Sequence, residues 1–381
     1  MIAISSHPCP VCSYPETHNI SYPFTGSVTS DFRYLDFSAS YHHCEECGYI
    51  YREMDKRIDH SKYYTHTYQL MLDAEDTEKM MFEENETKYS DYLISFMEEF
   101  ITNKKNKKLL DIGAGKGNFV ISFHNKFPEV EISALEPSKS YQLLNKNKFL
   151  IHCHNTFFSA KYFPDIHFDY INLSEVLEHV LKPKDFLEAI KSIMGVDSFL
   201  LVSVPNIEND KYDFLSPDHV SRFTPASIEN LFRISGLKIL KSSIPKHSAS
   251  MLFLTQITSQ RNIKSSNSQD AIKSAIGLIE NAIRDAEKIK NQKIAIYGQG
   301  LITYYLLGEK IFTIDNISCI IDDNKTFQGK KWKERINIIS LDTFLQNFRT
   351  KNLFLAMNEC YHQQVIEKLP KIYNFYGIRR V

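Results

Sequence analysis

At 381 residues the chain is long enough for two or three domains, each able to bury a core. Its 43% hydrophobic, 13% aromatic and 24% charged content is that of a packed globular protein and excludes long disorder, collagen-like repeats and coiled coils. Forty-five basic against 46 acidic residues leave a net charge of -1, with no overall attraction to nucleic acid or to an anionic membrane.

No apolar run reaches the roughly 18 residues of a membrane span, and residues 1–7 have neither the basic nor the long apolar region of a signal peptide. A cytoplasmic protein without a membrane partner is expected. Residues 1–70 are rich in Tyr, Ser, His and Cys and form a small module without a large apolar core. Within it Cys9-Pro-Val-Cys12 and Cys44-Glu-Glu-Cys47 give C-x2-C, 31 intervening residues, then C-x2-C. Two such turns present four thiolates, the tetrahedral shell of a structural zinc, and a reducing compartment disfavours disulfides. His42 and His43 are expected at the surface, because the cysteines already close the shell. The module holds five basic and eight acidic side chains, a net of -3, which argues against a finger that tracks phosphates.

A polar, acidic stretch at 73–86 leads into a helical run through Tyr89, Leu93, Phe96 and Phe100. Strands are predicted at 108–112, 131–136, 149–152, 168–173, 199–204, 237–243 and 251–257, alternating with helices. That alternation predicts a doubly wound, Rossmann-like α/β core with a parallel sheet and a ligand at the carboxyl ends of its strands. A polar linker at 259–270 and a helix at about 271–290 follow, and a second strand-glycine-helix unit opens at Lys293 to Gly300. The expected division is a zinc-binding module at 1–70, a core domain at 71–260 and a small Rossmann-like α/β domain at 261–381. The last unit lacks the third glycine of a dinucleotide fingerprint and reads as a scaffold, with Asp322-Asp323-Asn324 as a strand-end turn.

The first core strand runs into Asp111-Ile112-Gly113-Ala114-Gly115-Lys116-Gly117, or D-x-G-x-G-x-G, ahead of a helix. Glycines here let the chain turn sharply and let a bulky ligand touch the backbone. The spacing is one residue shorter than the dinucleotide fingerprint and suits a ligand carrying an amine and a carboxylate beside a nucleoside. Glu136 ends the next strand, 25 residues after Asp111, where it can accept from ribose hydroxyls.

These elements, with Glu136-Pro137 and the run from Asp169 to Val180 (DYINLSEVLEHV), resemble the class I S-adenosylmethionine (SAM)-dependent methyltransferases over about residues 85–257. The resemblance places Gly113, Ala114, Gly115 and Gly117 around the methionine part and Glu136 on the ribose. It places Asn155 or Thr156 near the adenine, and Asp111, Ser174 and Glu175 in the remaining cofactor wall. A four-cysteine module, this core and a small C-terminal nucleotide-fold domain together resemble the three-domain, zinc-containing sugar C-methyltransferases. That resemblance implies a nucleotide-linked keto-deoxy sugar as acceptor.

Methyl transfer to carbon or hydroxyl needs a base that removes a proton. His179 follows the fourth core strand and His219 lies in the loop after the fifth, both beyond carboxyl strand ends. The resembling family carries Tyr-x-Glu-His at the second histidine, where this chain has Ser216, Asp218 and His219. The missing tyrosine leaves methylation at carbon, hydroxyl or amine open. Tyr64 or Tyr68, in the tyrosine-rich run 61–68, could supply the lost donor. His219 is the expected base, aided by His179, with Asp218 beside it. The competing readings are an RNA methyltransferase that docks through its zinc ribbon, and a cofactor-binding regulatory protein without turnover. A monomer or homodimer is expected.

Overall fold

The computed structural model describes residues 3–5, 8–52, 59–68, 79–82, 85–102, 105–246, 248–325, 327–348 and 350–378. The boundary expected at residue 70 and most of the stretch 73–86 lie outside the described residues, although Lys79–Phe82 and Asn85–Lys88 pair as a short antiparallel ribbon.

The core is a seven-stranded sheet of β1 (Lys108–Ile112), β2 (Glu131–Leu135), β3 (Leu150–His154), β4 (Phe168–Ser174), β5 (Met194–Pro205), β6 (Leu237–Ser243) and β7 (Ser250–Ile257). Their spatial order is β3-β2-β1-β4-β5-β7-β6. Leu109, Leu110, Ile171, Leu173, Leu200, Leu201 and Val202 are fully buried, as strands covered by helices on both faces must be. The expected all-parallel sheet holds for β1 to β5 and is corrected at the edge, because β7 runs antiparallel to both β5 and β6. Only residues 244–249 join β6 to β7, too few for the crossover a parallel pair requires.

Strand order reverses between β1 and β4, which opens a crevice at their carboxyl ends. A second sheet closes over it. Ala3–Ser5, Thr17–Ile20, Tyr41–His43 and Ile50–Arg52 pair antiparallel in that order, and Ser221–Arg222 from the segment after β5 adds a fifth strand against Ile50–Arg52. The N-terminal module is thereby locked to the loop that carries His219. The following helix, Pro225–Ile234, fixes the far end of that loop with Pro225 in its first turn and a capping box between Thr224 and Ser227.

Helix Gln269–Ile289 buries Ile272, Ala275, Leu278, Ile279, Ala282, Ala286 and Ile289 at three- and four-residue spacing. That stripe shares one core with Phe24 and Tyr41 of the N-terminal module, Phe214 of the core segment and Ile296 of the last unit. The last unit is a six-stranded sheet in which Ile336–Ile339, Ile317–Ile321, Ile294–Tyr297, Asn352–Leu355 and Asn374–Tyr376 run parallel. The polar linker is pinned between the N-terminal module and helix Pro225–Ile234: Ser266 N donates to Glu46 O at 3.2 Å and Asn230 Nδ2 to Lys264 O at 2.7 Å. Among the described residues no helix is long and apolar enough to cross a membrane.

Candidate active site and metal centre

The four N-terminal cysteines converge. Tight turns aim each pair inward: Ser13 N donates to Cys9 O and Gly48 N to Cys44 O, both at 2.9 Å. Gly48 has φ +74°, and a Cβ there would meet Ser266 Oγ at 2.7 Å, so glycine is required. Cys9 Sγ lies 3.7 Å from Cys47 Sγ, and Cys12 Sγ lies 3.6 Å from Cys44 Sγ. A tetrahedron with zinc-sulfur bonds of about 2.3 Å has edges of roughly 3.8 Å, so the donor set fits zinc. Four thiolates leave no open position, and such a metal could only be structural. His42 and His43 are 4% and 2% exposed, which corrects their expected surface placement. His43 Nε2 accepts from Ser268 N at 3.3 Å, and the His42 ring stacks on Tyr51.

The crevice at the ends of β1 and β4 is a cavity of about 480 Å³. Gly113, Gly115 and Gly117 have φ values of +75°, +54° and +92°, so the expected glycine turn is formed, and Gly117 starts helix Asn118–Lys126. A Cβ on Gly113 would lie 2.5 Å from Val176 Cγ2. Glu136 supports the turn, accepting from Gly115 N and Ser138 N, both at 2.7 Å. Each carboxylate oxygen retains a second lone pair for a ligand hydroxyl. Asp111 Oδ1 accepts from Asn172 Nδ2 at 2.7 Å, whereas Asp111 Oδ2 is buried without a hydrogen-bond partner. Burial, partly offset by Asn172, pushes the Asp111 carboxyl up to about 7. A cavity that holds an unpartnered carboxylate oxygen beside a glycine cradle fits the ammonium and nucleoside ends of SAM.

At the other end of the cavity the walls come from three segments. Tyr64 and Tyr68 descend from the N-terminal module, His179 ends the 3-10 turn Leu177–His179, and His219 arrives on the loop after β5. The His179 and His219 rings meet edge to face with centroids 4.6 Å apart. The Tyr64 hydroxyl lies 2.6 Å from His179 Nδ1. Burial and the charge of His219 lower His179 to about 4. Burial lowers His219 too, but its ion pair with Asp213, helped by Asp218 and Glu178, outweighs burial and raises it to about 10. The two rings are thus pushed in opposite directions, His219 toward the cation by Asp213 and His179 toward the neutral form by burial. Glu178, 2% exposed, has Oε2 unpartnered, and burial with the neighbouring Glu175 charge pushes its carboxyl up.

Residues 81–242 match the methyltransferase domain family. They contain the glycine turn, Glu136, both imidazoles and the whole of β1 to β5, so the match takes in the core-sheet elements that line the cavity. A Schizosaccharomyces pombe protein described as an uncharacterized methyltransferase is 30% identical over 104 residues, covering 24% of this chain and 37% of its own length. The chain thus spans about a third of that relative. Two solved structures are also similar. A SAM-dependent methyltransferase from Clostridium acetobutylicum is 11% identical, covering 45% of this chain and 91% of its own, with a TM-score of 0.36. Mitomycin 7-O-methyltransferase is 17% identical, covering 40% and 49%, with a TM-score of 0.35.

Within the methyltransferase domain the cavity wall includes Asp111, Gly113, Ala114, Gly115, Glu136, Ser174, Glu175, His179 and His219. Three expected site residues fall outside it. Gly117 caps the helix behind the turn. Asn155 braces the loop, donating to Glu136 O at 2.8 Å and Ser138 O at 3.2 Å, while Thr156 and Phe157 form the wall. The Asp218 carboxylate is turned onto Ser30, accepting from its N at 2.9 Å and its Oγ at 2.5 Å, so only its carbonyl approaches Tyr64 and His179. Sequence reading did not single out Asn172, Glu178, Asp213 or Tyr89. Tyr89 and Ser203 donate to Glu175 Oε1 at 3.0 and 2.6 Å, holding a non-glycine residue at φ +53°. A buried glutamate beside a histidine, as in Glu178-His179, was the signal available in sequence.

Proposed function

We propose that the protein transfers the methyl group of SAM to a nucleotide-linked sugar, at carbon or at a hydroxyl or amine. One observation carries this reading: a glycine turn with an Asp111 oxygen unpartnered among the described residues and a pair of imidazoles line the same cavity. Bound SAM supplies an electrophilic methyl, whose carbon-sulfur bond breaks with both electrons left on sulfur as the acceptor's electron pair takes the carbon. Asp111, Glu136 and the glycine turn hold the donor; His179, His219 and Tyr64 meet the acceptor. Where the acceptor must lose a proton, one imidazole of the pair takes it in its neutral form or, as argued below, the two hold an ion that eases its loss.

A small acceptor is favoured because Ser30, Tyr64 and Tyr68 of the N-terminal module wall the cavity beside the imidazoles. The zinc module serves here as a roof clamped by Ser30 and Asp218 and by the strand pair at Ser221–Arg222. Its net acidic charge weighs against RNA docking. We assign residues 1–70 to that roof, 71–260 to the methyltransferase unit and 261–381 to a scaffold that completes the acceptor side.

The test is incubation with methyl-labelled SAM and a panel of nucleotide sugars with and without a 4-keto group, followed by NMR location of the label. Label on a sugar carbon, oxygen or nitrogen supports the reading. Label on RNA alone, or no transfer to any sugar, refutes it.

A further inference from the structure

Glu178, His179 and His219 form a cluster that the donor site does not use. One ligand atom from each lies within 4.8 Å of the other two, and all three line the cavity. His179 Nε2 is 3.8 Å from Glu178 Oε1. Glu178 is 2% exposed, and its Oε2 has no hydrogen-bond partner among the described residues. Leaving a buried carboxylate oxygen unpaired is costly, and a ligand bound in the cavity would satisfy it.

Both imidazoles are gripped from behind. His179 Nδ1 faces the Tyr64 hydroxyl at 2.6 Å and the Asp218 carbonyl at 3.3 Å, and His219 Nδ1 is paired with the Asp213 carboxylate. Each ring therefore keeps Nε2 for a ligand. Metal-binding histidines are oriented in this way, with the far nitrogen held by a carboxylate, carbonyl or hydroxyl. Asp213 is itself fixed by Arg222, whose Nε lies 3.3 Å from Oδ2. Among the described residues the cavity wall carries the carboxyl groups of Asp111, Glu136, Glu175 and Glu178 beside Lys116, so a divalent cation that displaces protons from the cluster would meet carboxylates.

We propose that Glu178, His179 and His219 bind one divalent transition-metal cation, separate from the four-cysteine centre, with open positions turned toward the methyl acceptor. Two imidazoles and one carboxylate suit manganese, iron, cobalt or zinc better than the all-oxygen shells of calcium or magnesium. Ligation requires unprotonated nitrogens, so cation uptake releases protons from the cluster. The ion would supply Lewis acidity to an acceptor oxygen. That use rests on the methyl-transfer reading above; the binding of the ion does not.

The experiment uses the full chain, passed over chelating resin until metal analysis shows only the zinc of the cysteine centre. Manganese(II) is then titrated in while electron paramagnetic resonance follows the free aquo ion, and cobalt(II) is titrated in parallel for its ligand-field spectrum. One manganese per chain, with binding weakened at least tenfold in Glu178→Gln and in His219→Ala at unchanged circular dichroism, is the expected result. The cobalt spectrum should show nitrogen and oxygen ligation without sulfur. No uptake of either ion, or uptake unchanged in Glu178→Gln, would overturn the proposal. Resin-treated protein that methylates a sugar at a rate manganese does not alter would overturn the role of the ion and leave the methyltransferase reading standing. Uptake without any sugar methylation would support the site and refute that reading.

Discussion

Asp111 and Asn172 meet at the carboxyl ends of the two strands that flank the crevice, with Asn172 Nδ2 donating to Asp111 Oδ1 at 2.7 Å and Asp111 Oδ2 left buried and unpaired. Burial raises this carboxyl to about 7, with the Glu136 charge adding to the rise and Asn172 opposing it. A raised acid pKa means that the ligand-free fold loses stability as pH climbs from the ordinary carboxylate value through about 7.

The ionised form is the one that pairs with an ammonium, so SAM affinity should move the other way. Between about pH 6 and pH 7.5 the ionised fraction rises roughly eightfold, and affinity should tighten by about that factor. Asp111→Asn should flatten the profile and weaken binding at the upper pH by about tenfold. Titration calorimetry at the two pH values checks both statements.

Gly113→Ala should abolish cofactor binding and lower stability. The new methyl would lie 2.5 Å from Val176 Cγ2 at a φ of +75°. The strain and displacement should cost about 1–3 kcal/mol, read as a fall in the midpoint of thermal or urea unfolding. Glu136→Gln is milder. It keeps the shape but loses a carboxylate acceptor for Gly115 N and the ribose, and should weaken SAM by about 1.5–3 kcal/mol with little change in the midpoint.

Metal analysis should find about one zinc per chain in the cysteine centre. Cys47→Ser should remove it and loosen the roof, because Cys47 O also accepts from Asn230 Nδ2 at 3.2 Å and the pair Ile50–Arg52 with Ser221–Arg222 follows three residues on. Faster proteolysis within residues 1–70 and loss of methyl transfer, with SAM affinity retained by the separate glycine turn, are the expected readouts.

Arg222 is a fully buried cation whose Nη1 donates to His219 O at 2.7 Å and Nη2 to Asp213 O at 2.8 Å and the Tyr41 hydroxyl at 3.0 Å. Arg222→Met leaves Asp213 with His219 as its charged partner and strips the buried carbonyls of His219 and Asp213 of their donor, and should destabilise the protein by about 3–5 kcal/mol. Urea unfolding measures this. A change under about 1 kcal/mol would show that the His219 pair alone compensates Asp213.

What was legible in the sequence was local in the chain. The C-x2-C pairs, the turn from Asp111 to Gly117 and Glu136 each encode their chemistry within a few residues, and β1 has the predicted bounds, Lys108–Ile112. Long-range partners set the rest. Asp218 looked catalytic beside His219, yet Ser30, 188 residues away, claims its carboxylate. His43 looked exposed until Ser268, 225 residues on, covered it. Asp213 decides the charge of His219, but only a 3-10 turn over Lys211–Leu215 brings the two together. The direction of β7 depended on a loop length between two strands that sequence alternation alone does not weigh.

Calorimetric titration of the full chain with SAM decides whether the cavity between the glycine turn and the imidazole pair is a SAM site. One SAM per chain, bound more weakly by Asp111→Asn and not at all by Gly113→Ala, is the expected result for such a site. Folded wild-type protein that takes up no SAM, or binds it equally well with Gly113→Ala, would contradict it.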